Sequence, residues 1–536
     1  MQSTMMDFPL TLAHILQRAG RLFATQKIVS RLPDKSLHRY SYSDFHRRTL
    51  ALAGALQHAG IQPGDRVATL MWNHYAHLEA YFAIPCAGAV LHTLNLRLHP
   101  DDIAYIANHA GVRFLIVDDV LLPLLEKFSA RVAFERVIVV SLSGGPLAPG
   151  YTEYEKFIAG AAAFTPPALN ENDAAGMCYT SGTTGRPKGV VYSHRAIVLH
   201  SMTCAMGNTL GLTQGDSLCP VVPMFHVNAW GLPFTGLMVG CKLVLPGPHL
   251  DATNLLDLYE CESVTVTAGV PTIWMGILQA IEKEPARWKL TPAMRMIVGG
   301  AAAPESMIRA FDRFNLHVLH AWGMTETTPL GSTCYLKEHM HALPENERYA
   351  YRAKQGLPAP FVEMRAMTPQ GETPWDGTTM GELQVRGPWI AAAYYNLAEE
   401  SDKWTADGWF RTGDVVTIDG EGYVKITDRT KDLIKSGGEW ISSLDLENAI
   451  VSHPDVQEAA VIGIAHPKWD ERPIAVVVLK PDASTNEQEL RDYLAPKFAR
   501  LWLPDAYVFV NEIPRTSTGK MMKARLREQF HDWRWP

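Results

Sequence analysis

Strand-like runs alternate with helix-like ones along most of this 536-residue chain, and that alternation restricts the fold more than any other feature. "DRVATLMW" and "RFLIVDD" read as strands, with the mostly helical "LEAYFAIPCAGAVLHTL" between them. Upstream, "YSYSDFHRRTLALAGALQHAG" has an N-cap candidate at Ser43, one apolar face and a closing Gly60, the pattern of a helix. A second alternating stretch holds "SLCPVVPMF", "KLVLPG", "SVTVTAG" and "MRMIVGG" as strands, with helices such as "PESMIRAFDRFN" between. Parallel strands need crossover connections, and helices in those crossovers cover the sheet on both faces. The expectation is an α/β chain of two such layered units.

Two stretches break the pattern. From about residue 142 to 172 the chain is loop-rich ("LSGGPLAPGYTEYE", "FTPPALNEND"), and then "AAGMCYT" runs as a strand. From about 355 to 427, short strands and turns such as "GELQVRG" and "GWFRTGDVVTIDGEGYVKI" predict a small, largely antiparallel β unit. The residues after Asp428, roughly 110 of them, are enough for a small α+β domain.

Length and composition fit several packed units in one globular protein: 47% of residues are hydrophobic and 20% charged. A net charge of −7 gives no global field for nucleic acid, so any anion site must be built locally. The seven cysteines never form a C-x-x-C pair, which argues against zinc and for reduced core thiols. No run approaches the ~20 apolar residues that span a bilayer. The N-terminus lacks a cationic leader, so the expected location is the cytoplasm.

"YTSGTTGRPKG", residues 179–189, is too polar and glycine-rich for a core strand or helix. Its glycines allow close backbone approach, and its hydroxyls, amides, Arg186 and Lys188 suit an anion such as phosphate. An ordinary surface turn has similar composition, but the density of donors directly after a strand favours phosphate. Lys188 lies between Pro187 and Gly189, so this is not the Walker pattern G-x-x-x-x-G-K-[ST].

Four further stretches carry chemistry-bearing residues. In "HAWGMTETTP", Glu326 could hold Mg²⁺, Thr325 could donate to a phosphate and Trp322 offers a flat face to a base; a capping box at Thr325 or Thr327 accounts for the same residues. In "RTGDVVTIDGEGY", Asp414 suits the two hydroxyls of a ribose, or simply a β-turn. "DRTKDLIKSGGEW" joins two compositional regimes, as a hinge would, or is a solvated strand and turn. In "PRTSTGKMMKARLREQF", a cap at Ser517 or Thr518 puts Lys520 in the first turn of the last helix, against the dipole; it is either functional or a harmless surface lysine.

In this order the motifs resemble those of the AMP-forming acyl-CoA synthetases of the adenylate-forming superfamily, over about residues 10–528. "PMFHVNAWGLPF", "TAGVPTIW", "VGGAAAP" and "KSGGEWISS" place the resemblance in the fatty acyl-CoA synthetase branch. It implies a large N-terminal adenylation domain, 1–427, of two αβ-layered subdomains plus a small β-barrel-like unit. A small mobile C-terminal α+β lid, 428–536, follows a hinge at Asp428.

The resemblance also implies roles. Thr180, Ser181, Gly182, Thr183, Thr184 and Lys188 face the ATP phosphates, with Thr183 and Glu326 at the metal. Gly300, Ala301, Ala302, His320, Ala321, Trp322, Gly323 and Met324 surround the nucleotide, and Asp414 and Arg429 hold its ribose. Thr325, Glu326, Lys435 and Lys520 act in catalysis. His226, Trp230, Gly437, Gly438 and Trp440 line the acyl and CoA path. In "AWGMTE", Trp322 stands where many members carry tyrosine, keeping the stacking face while altering the pocket's shape.

The implied substrates are ATP, coenzyme A and a small carboxylic acid: a short/medium- to long-chain fatty acid or an acid like 3-methylthiopropionate. Mg²⁺ is the implied metal and a homodimer a possible assembly; no nucleic acid or transmembrane segment is expected. The alternative is another adenylating branch, an aryl-acid CoA ligase or an acyl-AMP ligase loading a carrier protein.

Overall fold

In the computed structural model, which describes residues 1, 3–161, 163–180, 186–437, 439–481, 483–516 and 521–535, the first long helix is Tyr42–His58 and its N-cap is Ser41, not Ser43. Ser41 Oγ accepts from Asp44 N, and the Asp44 carboxylate accepts from Ser41 N in return. That reciprocal box requires an acid three residues after the cap, and Asp44 stands there for Ser41 only. The stretch read as mostly helical divides: helix Tyr75–Cys86 ends ahead of Gly88, at φ +82°, and Val90–Thr93 is a strand.

Two sheets dominate. The first has seven strands, in the order Thr152–Glu153, Arg136–Val140, Val112–Asp118, Arg66–Leu70, Val90–Thr93, Ala174–Tyr179 and Gly189–Ser193. All neighbours are parallel except the last pair, the hairpin that holds the phosphate-loop motif. The second has nine strands, and its interior runs parallel through Leu316–Gly323, Met294–Val298, Val266–Gly269, Ser217–Pro220, Lys242–Leu245 and Lys27–Arg31. Antiparallel strands close its edges: Leu37–Ser41 on one side, Leu330–Thr333 and Leu357–Pro358 on the other. The N-terminal hairpin Lys27–Ser41 therefore completes the second sheet, not the first, a pairing over some 200 residues that no local pattern announces.

Alternation of side chains along each strand sorts the core into layers. On Val112–Asp118, Phe114 and Ile116 face a central core, whereas Leu115 and Val117 face helix Pro100–Ala110. On Met294–Val298, Ile297 joins the same central core, and Met294, Met296 and Val298 face helices Ala252–Cys261, Pro271–Lys283 and Glu305–Asp312. Between the sheets lie helices Leu12–Leu22, Tyr42–His58, Tyr75–Cys86, His194–Ala205 and Leu232–Val239. Tyr81 and Phe234 stack there with ring centroids 5.3 Å apart. The result is an α/β/α/β/α sandwich, the doubly covered arrangement expected from alternation.

The β unit is a five-stranded antiparallel sheet: Gly371–Glu372, Glu363–Thr368, Gly381–Arg386, Phe410–Ile418 and Val424–Arg429. Its last strand runs through Asp428, pairing Val415 with Asp428 and Asp414 with Arg429. The C-terminal unit is α+β, built on strands Val456–His466, Asp470–Leu479 and Ala506–Phe509 with the hairpin Ile434–Ser436/Glu439–Ile441. Helices Ser443–Val451 and Glu487–Leu494 pack on one face, and Lys523–Gln529 on the other. That last helix has Met522 as N-cap, so the cation in its first turn is Lys523; Ser517, Thr518 and Lys520 lie outside the described residues. Lys523 opposes the helix dipole but is paired with Glu447 at 2.7 Å. Among the described residues all seven cysteines are free thiols, and no helix is long and apolar enough to cross a membrane.

Candidate active site

Val227, Asn228, Ala229, Trp230 and Gly231 all have positive φ, from +44° to +71°, a turn of left-handed helix in an L-polypeptide. Each non-glycine residue in that conformation costs about 1–2 kcal/mol, so tertiary contacts must hold it. Ala229 N donates to His226 O and Gly231 N to Asn228 O. The buried Asn228 side chain accepts from Cys178 Sγ at 3.4 Å. A Cβ on Gly231 would meet the His200 ring at 2.6 Å, and His200 Nε2 accepts from Leu330 N. The turn aims the Trp230 indole at Gly299, where a Cβ would come within 3.2 Å of the ring.

Strand Leu316–Gly323 forms the facing wall. It is bulged between Trp322 and Gly323, and a Cβ on Gly323 would lie 1.8 Å from Pro329 O, so only glycine fits. In the turn that follows, Met324 N donates to Thr327 Oγ1 at 2.8 Å. Thr327 thus closes the turn with its hydroxyl, and the Glu326 carboxylate is not part of a capping box. Instead Tyr394 Oη donates to Glu326 Oε1 at 2.5 Å, Ala391 N donates to Glu326 O, and Tyr192 Oη donates to Thr325 O at 2.9 Å.

Between these walls lies a cleft open to solvent. Leu210, Ile297 and Leu330 give it an apolar side; Val227 and Trp230 come from the left-handed turn and His226 from just ahead of it, Gly299 and Gly300 from the strand end, and Ala321 to Thr325 with Pro329 complete it. Behind it, Trp322 Nε1 donates to Asp414 Oδ2 at 2.9 Å, and Arg429 Nε meets Asp414 Oδ1 at 2.6 Å. Asp414 is buried, so a charged guanidinium and an indole donor fix its carboxylate from both sides.

The phosphate-loop hairpin closes on itself at Thr180 and Lys188: Thr180 N donates to Lys188 O, and Lys188 N to Thr180 Oγ1. The Lys188 ammonium lies 2.5 Å from Glu400 Oε2 and 5.2 Å from the centroid of the Tyr394 ring. Tyr394 therefore touches Lys188 with its face and Glu326 with its hydroxyl. Burial, reinforced by the Glu326 charge, pushes its phenol far up, so it stays a proton donor.

The structure thus gathers His226, Trp230, Gly300, Ala321, Trp322, Gly323, Met324 and Thr325 at one cleft, with Glu326, Asp414, Arg429 and Lys188 joined to it through side-chain contacts. Ser181, Gly182, Thr183, Thr184, Gly438 and Lys520 lie outside the described residues. Ala301 is exposed and Ala302 half-buried, and neither is among the residues lining the cleft, whereas Gly299 is. His320 lies in the strand with its Nδ1 on Ala353 O, and burial lowers its pKa to about 4. Lys435, Gly437 and Trp440 share the hairpin after Arg429, with Lys435 Nζ 5.0 Å from the Trp440 ring centroid and Gly437 at φ +60°. Asp428 Oδ2 accepts from both Ser443 N and Ser443 Oγ, which ties it to helix Ser443–Val451.

Tyr394, Glu400, Gly299 and Tyr192 escaped the sequence reading. The first tyrosine in "AAAYYN" and one acid of "EE" carry no spacing signal; their roles come only from meeting Glu326 and Lys188 across the fold. No group of three or more His, Cys, Asp or Glu residues suited to a metal occurs among the described residues. Mg²⁺ needs no such group, since it takes one or two carboxylates and keeps waters and phosphate oxygens as its other ligands.

Residues 18–395 match the family model described as AMP-binding enzyme, and residues 445–520 that of the AMP-binding enzyme C-terminal domain. The chain is 49% identical over 533 residues to a long-chain-fatty-acid–CoA ligase of Thermus thermophilus, covering 99% of this chain and 97% of that one. It is 43% identical over 539 residues to a 3-methylmercaptopropionyl-CoA ligase of Ruegeria pomeroyi, covering 99% of each. Among solved structures, the anthranilate CoA ligase AuaEII in complex with anthranoyl-AMP superposes with a TM-score of 0.86 at 25% identity, covering 98% of each chain.

Proposed function

The chain belongs to the AMP-binding enzyme family, and from that premise we propose that it activates an aliphatic carboxylic acid, a fatty acid before a short thioether acid, as its acyl-CoA. The class is that of the AMP-forming acid–thiol ligases, with ATP and coenzyme A as co-substrates. What carries the choice of acid is one cleft whose apolar side, Leu210, Ile297, Leu330 and Trp230, runs directly into the Trp322–Thr325 wall, together with 49% identity to a fatty-acid ligase.

The chemistry divides into two steps. A carboxylate is a poor acylating agent, so its oxygen first attacks the α-phosphate of ATP; pyrophosphate leaves and an acyl-AMP forms. Charge builds on the phosphate oxygens, where preorganised donors act most strongly. In this reading Thr325, Lys188, the loop residues Thr180 to Thr184 and Lys520 are those donors, and Asp414 with Arg429 orients the ribose. Glu326 and Thr183 would hold Mg²⁺, which neutralises phosphate charge when bound. The thiol of CoA then attacks the acyl carbonyl and AMP leaves. His226, Trp230 and the hairpin bearing Lys435, Gly437, Gly438 and Trp440 would line that path, brought up by rotation of residues 428–536 about Asp428. A homodimer belongs to the same reading: Met5, Met6 and Phe8 are exposed ahead of the first helix, and sedimentation velocity tests it.

The test is pyrophosphate release, then CoA-dependent AMP formation, across straight-chain acids of increasing length, 3-methylthiopropionate and anthranilate. Apolar pockets discriminate one methylene by only about 1–3 kcal/mol, so a broad optimum among the fatty acids is expected. A sharp preference for 3-methylthiopropionate or for the aryl acid overturns the choice of acid. Acyl-AMP formation without any CoA product overturns the ligase reading.

A further inference from the structure

Lys188 and Glu400 form an ion pair that the two-step chemistry does not use. Glu400 follows the Tyr394–Tyr395 pair in the segment that crosses the phosphate-loop hairpin, where Tyr395 N donates to Gly189 O. Its carboxylate lies 2.5 Å from the Lys188 ammonium, with the two side chains 28% and 21% exposed. The same ammonium rests on the Tyr394 ring, and Tyr394 is anchored through its hydroxyl to Glu326. Lys188 thus has a fixed platform beneath it and a carboxylate at its charged end.

We propose that Glu400 is an affinity-setting residue for ATP, a built-in anion that competes with a nucleotide phosphate for the Lys188 ammonium. The proposal rests on the reading of Lys188 as a phosphate-binding residue. An ammonium in hydrogen-bond contact with a carboxylate has that much less to offer an incoming phosphate oxygen, so binding must displace or share Glu400. The Tyr394 face keeps the Lys188 ammonium in place when Glu400 withdraws, because its hold on the cation does not depend on the carboxylate. A single ion pair that keeps part of its surface in water is modest in strength, which suits a competitor: it lowers the affinity for ATP without blocking it. The bonding is non-covalent throughout.

Glu400→Gln removes the charge and keeps the shape. The expected result is a fall of about two- to five-fold in both the KM for ATP and its dissociation constant by calorimetry, without a matching fall in the KM for the acid. Because the pair is only partly exposed, raising KCl should narrow the gap between the two proteins in part rather than abolish it. Glu399→Gln, the same loss of charge at the exposed neighbour, controls for general electrostatics and should move the KM less. Lys188→Ala should raise the KM for ATP, and adding Glu400→Gln to it should change nothing further. An ATP affinity unmoved or weakened in Glu400→Gln, against a raised KM in Lys188→Ala, overturns the proposal alone. An equal effect of Glu400→Gln with and without Lys188 also overturns it, since the effect is then not through the pair. A KM unmoved in Lys188→Ala removes the phosphate role of Lys188 and the proposal with it.

Discussion

Asp414 has an indole on one carboxylate oxygen and a guanidinium on the other, and Trp322 supplies the indole from the wall of the cleft. Trp322→Phe keeps a flat ring for a base and removes only the donor. A hydrogen bond to a charged group contributes about 1.5–3 kcal/mol, so the KM for ATP should rise by roughly ten-fold or more, read by pyrophosphate release at saturating acid. Little change would mean that Arg429 alone sets the carboxylate. At Glu326 the capping alternative is gone, because Thr327 closes the turn. Glu326→Gln should therefore depress adenylation and raise the Mg²⁺ concentration needed for half-maximal rate, whereas an unchanged Mg²⁺ titration would take the metal role away from it. The motif and its residue types were legible in "GMTETTP"; which side chain closes the turn was not, because Thr325, Glu326 and Thr327 all have the chemistry and only the geometry selects one.

At the scale of elements, two differences from the expected pattern make predictions. Ser41 and Ser43 both precede the apolar run of the first long helix, but only Ser41 has its reciprocal acid. Ser41→Ala should cost about 1 kcal/mol by chemical denaturation, and Ser43→Ala much less. In the C-terminal unit Lys523, not Lys520, opens the last helix and pairs with Glu447, which also accepts from Val461 N. Burial pushes the Glu447 carboxyl up from 4.5 to about 7 despite Lys523 beside it, and burial raises Asp428 as well. A carboxyl raised on folding binds its proton more tightly in the native state. Its stabilising effect is full below the unfolded value of about 4.5 and is lost as pH rises through 7. The thermal midpoint should accordingly fall between pH 5 and 8 more steeply in the parent protein than in Glu447→Gln. Identical slopes would show that Glu447 stays ionised across that range.

For the whole molecule the question is whether the C-terminal unit presents different faces to one cleft. Lys435 and Trp440 are exposed together on the hairpin just past Arg429, while Lys520 lies close to the chain end, three residues ahead of Lys523. With rotation about Asp428, Lys520→Ala should reduce acyl-AMP formation by about 10²-fold and spare thioester formation from supplied acyl-AMP. Trp440→Ala should do the reverse. It is a better probe than Gly437, where φ is +60° and a Cβ would meet Trp469 at 2.8 Å, so any substitution strains the hairpin. Asp428→Pro acts within a paired strand, opposite Val415, and should hold the two units in one relation, separating the half-reactions. Equal loss of both half-reactions in all three variants would show that the unit simply covers the cleft.

The α/β alternation, the antiparallel β unit, the α+β C-terminal unit and the order of the motifs were all determined by the sequence alone, because strand and helix periods and glycine- and hydroxyl-rich turns are local properties. Partners far apart in the chain were decided only by the tertiary structure. The Lys27–Ser41 hairpin joins the second sheet because Ile28 finds Leu243 there, and Trp322 finds Asp414 across 92 positions. The left-handed turn at Val227–Gly231 runs against the preference of its own residues and exists because Cys178, His200 and Gly299 are placed around it. Local preference is written in neighbours along the chain; a strained turn or a buried carboxylate is stable only when contacts from elsewhere in the fold outweigh its cost.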